Sequence, residues 1–217
     1  MMHAIEPISN ADEPLPVVVL ASSSPRRRAM LEEAGVEHHI EPAQVDDGEL
    51  VPGGSANAHH WVAALAYLKA ISASRTFEHK LINHESTQQM VIIGADTVCV
   101  QSGQIIGQPV DRDHARAMIQ EMSGSTHEVL TGIAILDPSG QRRDLFVDRS
   151  QVTVGEISDD EIEAYLDSEL WRGKAGGYNI TERLKAGWPI EFDGDESSIV
   201  GLPLARVIDR VRSFYLD

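Results

Sequence analysis

The chain has 217 residues, enough for one substantial α/β domain or two intimate lobes, and 42% of them are hydrophobic, an ordinary share for a globular protein. Its 34 acidic residues outnumber 18 lysines and arginines, and the formal net charge of −16 argues against a general DNA- or RNA-backbone binder. A lone cysteine, Cys99, cannot close an internal disulfide and points to a reducing, cytoplasmic compartment, and no apolar run approaches a transmembrane span, so no membrane partner is expected.

Residues 1–16 carry Glu6, Asp12, Glu13 and three prolines without a basic or apolar region. They are expected to form a loose N-terminal tail rather than a signal peptide, ahead of a single domain over 17–217. Val17–Leu20 is a β-branched run that predicts a buried strand, and Ala21-Ser22-Ser23-Ser24 a turn. Ser24 and Pro25 then suit the N-cap and first position of a helix that Gly35 would stop. Three arginines, Arg26, Arg27 and Arg28, follow in the first turn, where cations oppose the helix dipole. A bound polyanion would explain them, since hydroxyls, unpaired N–H groups and guanidinium forks meet at a helix N-terminus. The plainer reading is an ordinary capped helix with solvated arginines.

His38–Pro42 reads as a second short strand, followed by an acidic group around Asp46 and Asp47 and a Pro52-Gly53-Gly54 loop. Trp61, Ala64, Leu65 and Leu68 recur at helical spacing and predict a helix from about Ala56 to about Ser72 with Lys69 near its end. His59 and His60 are adjacent in it, and adjacent helical residues diverge by about 100°, so two solvated histidines are preferred to a metal pair. Residues 73–90 read as a polar connection. Met90–Gly94 is the most hydrophobic strand candidate, with Gly94-Ala95-Asp96-Thr97 at its end and Val98–Val100 continuing as strand. Asp96 would thus lie at the C-terminal edge of a central strand, where ligand crevices open in α/β sheets and a carboxylate can hold a hard cation or take a proton from water. A turn aspartate is the plainer alternative.

Gln104–Ile106 reads as a hairpin arm, Asp111–Met122 as an amphipathic helix, Ser123–His127 as a polar turn, and Glu128–Leu136 and Leu145–Gly155 as strands. His127 is expected to be a structural hydrogen-bonder, and Cys99 buried and inert. Ser158 with Glu161 has capping-box spacing for a helix to about Ser168. Gly173–Tyr178 is glycine-rich without P-loop spacing, Glu191–Glu196 is acidic, and Leu204–Tyr215 predicts a final helix. An arginine-rich cradle with carboxylates suited to Mg²⁺ implies chemistry on a polyphosphate. The serines are better read as phosphate donors than nucleophiles, because no G-x-S-x-G elbow exists.

In this order, Leu20–Arg28, Leu65-Ala66 with Lys69-Ala70, Ile93–Val98, Ser123-Gly124 with Thr126–Val129 and Thr131-Gly132, Glu161–Tyr165, Lys174–Tyr178 and Val200–Leu204 resemble the Maf family of nucleoside triphosphate pyrophosphatases. The resemblance implies an α/β fold with a mixed central β-sheet flanked by helices, two lobes with an intervening cleft, and often a homodimer. It implies hydrolysis of a nucleoside triphosphate between the α- and β-phosphates with a divalent cation, Mg²⁺ or Mn²⁺. On the matching positions, Asp96 would be the proton acceptor and a metal ligand together with Asp47. Ser22, Ser24, Arg26, Arg27 and Lys69 would bind phosphate, and Arg26, Thr97 and Thr181 would bear on substrate choice. The Ser-Pro-Arg-Arg and Gly-Ala-Asp-Thr forms look like the branch acting on dTTP and UTP rather than on 7-methyl-GTP. Four positions depart from the family pattern: Gln108 replaces a lysine before Pro109, Asp46-Asp47 replaces Asp-Glu, Asn179-Ile180-Thr181 replaces Gly-Ile-Gln, and Ser198 replaces a common asparagine. A nucleotide-binding or regulatory protein with weakened catalysis is the alternative that Gln108 would favour.

Overall fold

The computed structural model describes residues 15–45, 57–81 and 89–216. The tail residues 1–14 and the acidic pair Asp46-Asp47 lie outside them. Among the described residues the sheet has seven strands: β1 (Val17–Leu20), β2 (His38–Ile40), β3 (Met90–Gln101), β4 (Gln104–Ile106), β5 (Ser125–Leu136), β6 (Arg143–Val154) and β7 (Ile190–Asp193). Their order is β2-β1-β3-β5-β6-β7, with β4 also on β3. β1 runs parallel to β2 and β3, and every other pairing is antiparallel, so the sheet is mixed. The helices are α1 (Pro25–Glu33), α2 (Ala58–Leu81), α3 (Arg112–Met122), α4 (Asp159–Asp167), α5 (Ile180–Lys185), α6 (Glu196–Val200) and α7 (Leu204–Ser213).

β3 is longer than its sequence suggests. Gly94-Ala95-Asp96-Thr97 does not turn: Asp96 sits mid-strand opposite Gly132 of β5. The glycine is there for packing, since a Cβ on Gly94 would strike the backbone of Ala66 and Ala70 in α2. β1 accompanies β3 only to Ile93, and β4 begins to pair at Cys99. Both strands use the edge of β3 opposite to β5, so among the described residues that edge is bare of strand from Gly94 to Val98. The crevice expected at a strand end therefore opens in the flank of a continuous strand.

Alternation along β3 divides the core. Val91, Ile93 and Ala95 join Ile133 and Ile135 of β5 under α1 and α7. Further along the same face, Cys99 and Val129 join a second cluster built by α3, α4, Tyr178 and Trp188. Thr97 and its partner Thr131 fall between the two clusters. A polar row thus separates two apolar lobes on one face of one sheet, and the cleft follows that row. The opposite face is covered by α2, with Ala66, Ala70 and Ala73 against Ile92 and Ala134.

α2 reaches Leu81, so part of the stretch read as a connection is helix. Asn57 caps it, its side-chain oxygen accepting from His59 N at 2.9 Å, and His59 and His60 are both exposed. α5 and α6 were not apparent in the sequence: each is only a turn or two long, capped by Asn179 and Asp195. The capping box at Ser158 and Glu161 forms as expected. Among the described residues no helix is long and apolar enough to cross a membrane.

Candidate active site

The loop from β1 to α1 is built around Ser22 and Ser24. Ser22 Oγ accepts from Ser24 N at 3.2 Å, and Ser24 Oγ caps the helix by accepting from Arg27 N at 3.5 Å. Successive positions on α1 then send the three arginines apart. Arg26 is exposed, faces the cleft and makes no hydrogen bond or ion pair among the described residues. Arg28 pairs with Glu32 one turn on at 2.7 Å, with both side chains in solvent. Arg27 turns inward. Its Nε donates to Gly201 O at 2.8 Å, Nη1 to Ala95 O at 2.9 Å and to Ser22 Oγ at 3.2 Å, and Nη2 to Thr97 Oγ1 at 3.1 Å. Arg27 thus donates to the bare edge of β3 where β1 has ended.

Asp96 points to the α2 side of the sheet. Lys69 Nζ donates to its Oδ1 at 2.6 Å, and the two side chains are only 15% and 10% exposed. The pairing depends on close helix–sheet approach. Val62, Ala66 and Lys69 form one stripe of α2, and Gly132 and Gly94 lie beneath the first two. With no side chain at either glycine, the helix backbone rests on the strands and lowers Lys69 onto Asp96.

A cavity of about 240 Å³ connects these parts. Ser24, Arg26, Arg27, Asp96 and Thr97 line one side, and Gln108, His127, Lys174, Tyr178 and Asn179 are among the residues opposite. Of the five residues expected to meet phosphate, Ser24, Arg26 and Arg27 reach this lining, whereas Ser22 and Lys69 stand behind it and hold Arg27 and Asp96. Gln108 is exposed within the lining. Thr181 lies in the first turn of α5 outside the lining, and its neighbours Asn179 and Ile180 supply the wall there.

Three features go beyond the sequence reading, although His127 is the structural hydrogen-bonder expected of it. Lys174 enters the wall from the glycine-rich segment, only 13% exposed, paired with Glu182. His127 is buried inside β5 rather than in a turn, and its Nε2 meets Tyr178 Oη at 2.9 Å. Burial pushes its imidazole down to about 4, and Cys99 nearby in the wall is pushed up to about 12 for the same reason. Thr131, fully buried, joins Thr97 to the α6 segment. The alternation Thr131-Ile133-Ile135 across from Thr97-Ala95-Ile93 was the available signal. Among the described residues no group of three or more His, Cys, Asp or Glu is gathered to hold a metal ion. Asp96 is a hard carboxylate donor of the kind Mg²⁺ or Mn²⁺ accepts, and Asp47 lies outside the described residues.

Residues 17–214 match the family described as Maf-like protein. A dTTP/UTP pyrophosphatase of Acetivibrio thermocellus is 37% identical over 199 residues, covering 91% of this chain and 94% of its own length. The protein of the same name from Pelotomaculum thermopropionicum is 36% identical over 197 residues, covering 91% and 96%. A solved nucleoside-triphosphatase, or dITP/XTP pyrophosphatase, of Mycobacterium abscessus is a more distant likeness, 16% identical over 65% of this chain and 75% of its own, with a TM-score of 0.34.

Proposed function

The chain belongs to the Maf-like protein family, and from that premise we propose that it is a nucleoside triphosphate pyrophosphatase, a hydrolase that cleaves dTTP or UTP to the monophosphate and pyrophosphate. One observation carries the reading: Asp96, held by Lys69, and the Arg26 loop line the same cavity beside the bare edge of β3. The names of the relatives support the pyrimidine preference.

The Arg26 guanidinium and the Ser24 hydroxyl at the start of α1 bind the phosphates, drawing on charge and helix dipole together. Lys69 holds one oxygen of Asp96 and so fixes the orientation of the carboxylate. That carboxylate takes the proton of a water molecule as its oxygen forms a bond to the α-phosphorus. The bond from the α-phosphorus to the bridging oxygen breaks, and pyrophosphate leaves. Positioning and charge stabilisation provide most of the acceleration. A divalent cation, Mg²⁺ or Mn²⁺, would be held by Asp96 and Asp47, and when bound would neutralise phosphate charge. A cytoplasmic homodimer belongs to the same reading.

The test is a panel of nucleoside triphosphates with Mg²⁺ or Mn²⁺, assayed for pyrophosphate against orthophosphate. Pyrophosphate with dTTP and UTP leading is expected. Tight nucleotide binding without product would instead establish the regulatory alternative, which the intact Lys69–Asp96 pair disfavours.

A further inference from the structure

The cavity borders a second lysine–carboxylate pair, built unlike the first. Lys174 lines the wall opposite Arg26, and its Nζ donates to Glu182 Oε2, which lies outside the lining in the first turn of α5. The lysine side chain is 13% exposed and the glutamate side chain 43%. The backbone that carries Lys174 is pinned. Its N–H donates to Trp171 O at 3.3 Å, its carbonyl accepts from Gly177 N at 2.9 Å, and Gly176 N donates to Gly107 O at 2.9 Å. The last bond sets the segment beside Gln108, which lines the same wall and carries no charge. Glu182 is fixed in turn by Asn179 Oδ1, which accepts from its N–H at 3.0 Å. Only side-chain torsions are therefore needed to move the ammonium between the carboxylate and the cavity.

We infer that Lys174 is a further phosphate-binding residue and that Glu182 stands in for phosphate there: an entering triphosphate takes the ammonium from the carboxylate. The inference rests on the cavity taking a nucleoside triphosphate. The two exposures decide which partner yields. A buried ammonium without an anion has lost its hydration uncompensated, so Lys174 keeps an anionic partner throughout. A half-exposed carboxylate regains water on release, so Glu182 gives up its bond at little cost. Phosphate oxygens are anionic acceptors and an ammonium only donates, so the exchange conserves a charge-assisted contact. Among the described lining residues, Arg26 and Arg27 bring cations from the α1 side, and Lys174 alone brings one from the other wall. A phosphate chain between them is then neutralised from both flanks.

The experiment titrates inorganic pyrophosphate with Mg²⁺ into the full-length protein by calorimetry and measures KM for UTP, with thermal melts on every variant. The two members of the pair should act in opposite directions. Lys174→Met should weaken pyrophosphate binding and raise KM by at least about tenfold, the loss of a hydrogen bond between charged groups. Glu182→Gln removes the competitor and should tighten binding and lower KM roughly two- to fivefold, the range of a partly exposed ion pair. In the Lys174→Met background the same Glu182→Gln change should move neither quantity. A pair that only supports the fold would instead lower Tm on either substitution, and both would leave binding unchanged or weaken it. Unchanged or weaker binding in Glu182→Gln overturns the inference, and this arm stands even if Lys174→Met fails to fold. A gain that persists in the Lys174→Met background also overturns it, because net charge alone would then explain the effect. A protein that binds pyrophosphate in the expected pattern yet hydrolyses no UTP overturns the enzymatic reading instead, and the two failures are distinct.

Discussion

Gly132→Ala tests the seating of α2 without touching any charged group. A Cβ at this position would lie 2.6 Å from the carbonyl carbon of Val62 and 2.9 Å from Ala63 N. Both are backbone atoms, so no rotamer change relieves the clash, and α2 must withdraw by about 1 Å to reach ordinary contact. Overpacking of this kind costs typically about 1–3 kcal/mol, and a rigid obstacle belongs at the upper end. For a domain of this size about 3 kcal/mol corresponds to a fall in Tm of roughly 6–12 °C. The same withdrawal would stretch the 2.6 Å Lys69–Asp96 contact beyond hydrogen-bonding range. A displacement of about 1 Å at a catalytic group is worth about a hundredfold in rate, so kcat for pyrophosphate release should drop by that order even below the new melting point. Calorimetry and steady-state assays at 20 °C would measure both effects. Gly107→Ala, with nothing within 4 Å of the added carbon, is the control for melting temperature. A Gly132→Ala protein that melts within about 1 °C of wild type and keeps its kcat would refute the claim that backbone contact sets the Lys69–Asp96 geometry.

Asp96→Asn should lower kcat by at least about a hundredfold, with an unchanged circular dichroism spectrum; near-normal turnover would remove Asp96 from the proton transfer. Arg26→Ala should weaken triphosphate binding by about 1.5–3 kcal/mol in titration calorimetry and leave Tm unmoved, because Arg26 supports no other part of the fold. His127 resists protonation down to about 4 in the folded protein against 6.5 as its ordinary value, so the unfolded chain binds the extra proton between those limits. Its contribution is complete above pH 6.5 and is lost as pH falls towards 4, amounting to about 3 kcal/mol; urea melts at pH 7 and pH 4.5 should show a gap that His127→Gln narrows. Gln108→Lys should raise kcat/KM by up to about fivefold, a gain limited by the exposure of the site. Arg112→Ala should leave activity alone, since Arg112 is bound at 2.9 Å to Glu163 and at 2.5 Å to Asp167 of α4.

Local signals were legible wherever one segment decides its own structure. The Val17–Leu20 strand, the Ser24-Pro25 helix start and the Ser158–Glu161 capping box all form as the residues predict. The errors occur where a distant segment decides. Gly94-Ala95-Asp96 has the composition of a turn, yet β5 pairs through it and α2 uses the glycine as a seat, so tertiary packing overrides local propensity. The three arginines have the same formal charge in sequence, and only the fold assigns one to the cleft, one to the protein interior and one to a neighbouring glutamate. Asp47 was named from the sequence and lies outside the described residues.

The placement of Asp96 and Thr97 on consecutive residues follows from the strand itself. A β-strand turns successive side chains to opposite faces, so the two serve different surroundings although they are covalent neighbours. Asp96 meets the lysine of α2, while Thr97 meets the polar row between the lobes. A turn, as the sequence suggested, would have released both to solvent and left their orientation to chance. A continuous strand fixes them, and the bare interval between β1 and β4 then exposes that stretch of the strand edge to a ligand. Arg27 hydrogen-bonds the Ala95 carbonyl and the Thr97 hydroxyl, both within this interval. The site therefore requires β1 to be short, β3 to be long and Gly94 to lack a side chain, and lengthening β1 past Ala21 would place a strand where Arg27 now sits.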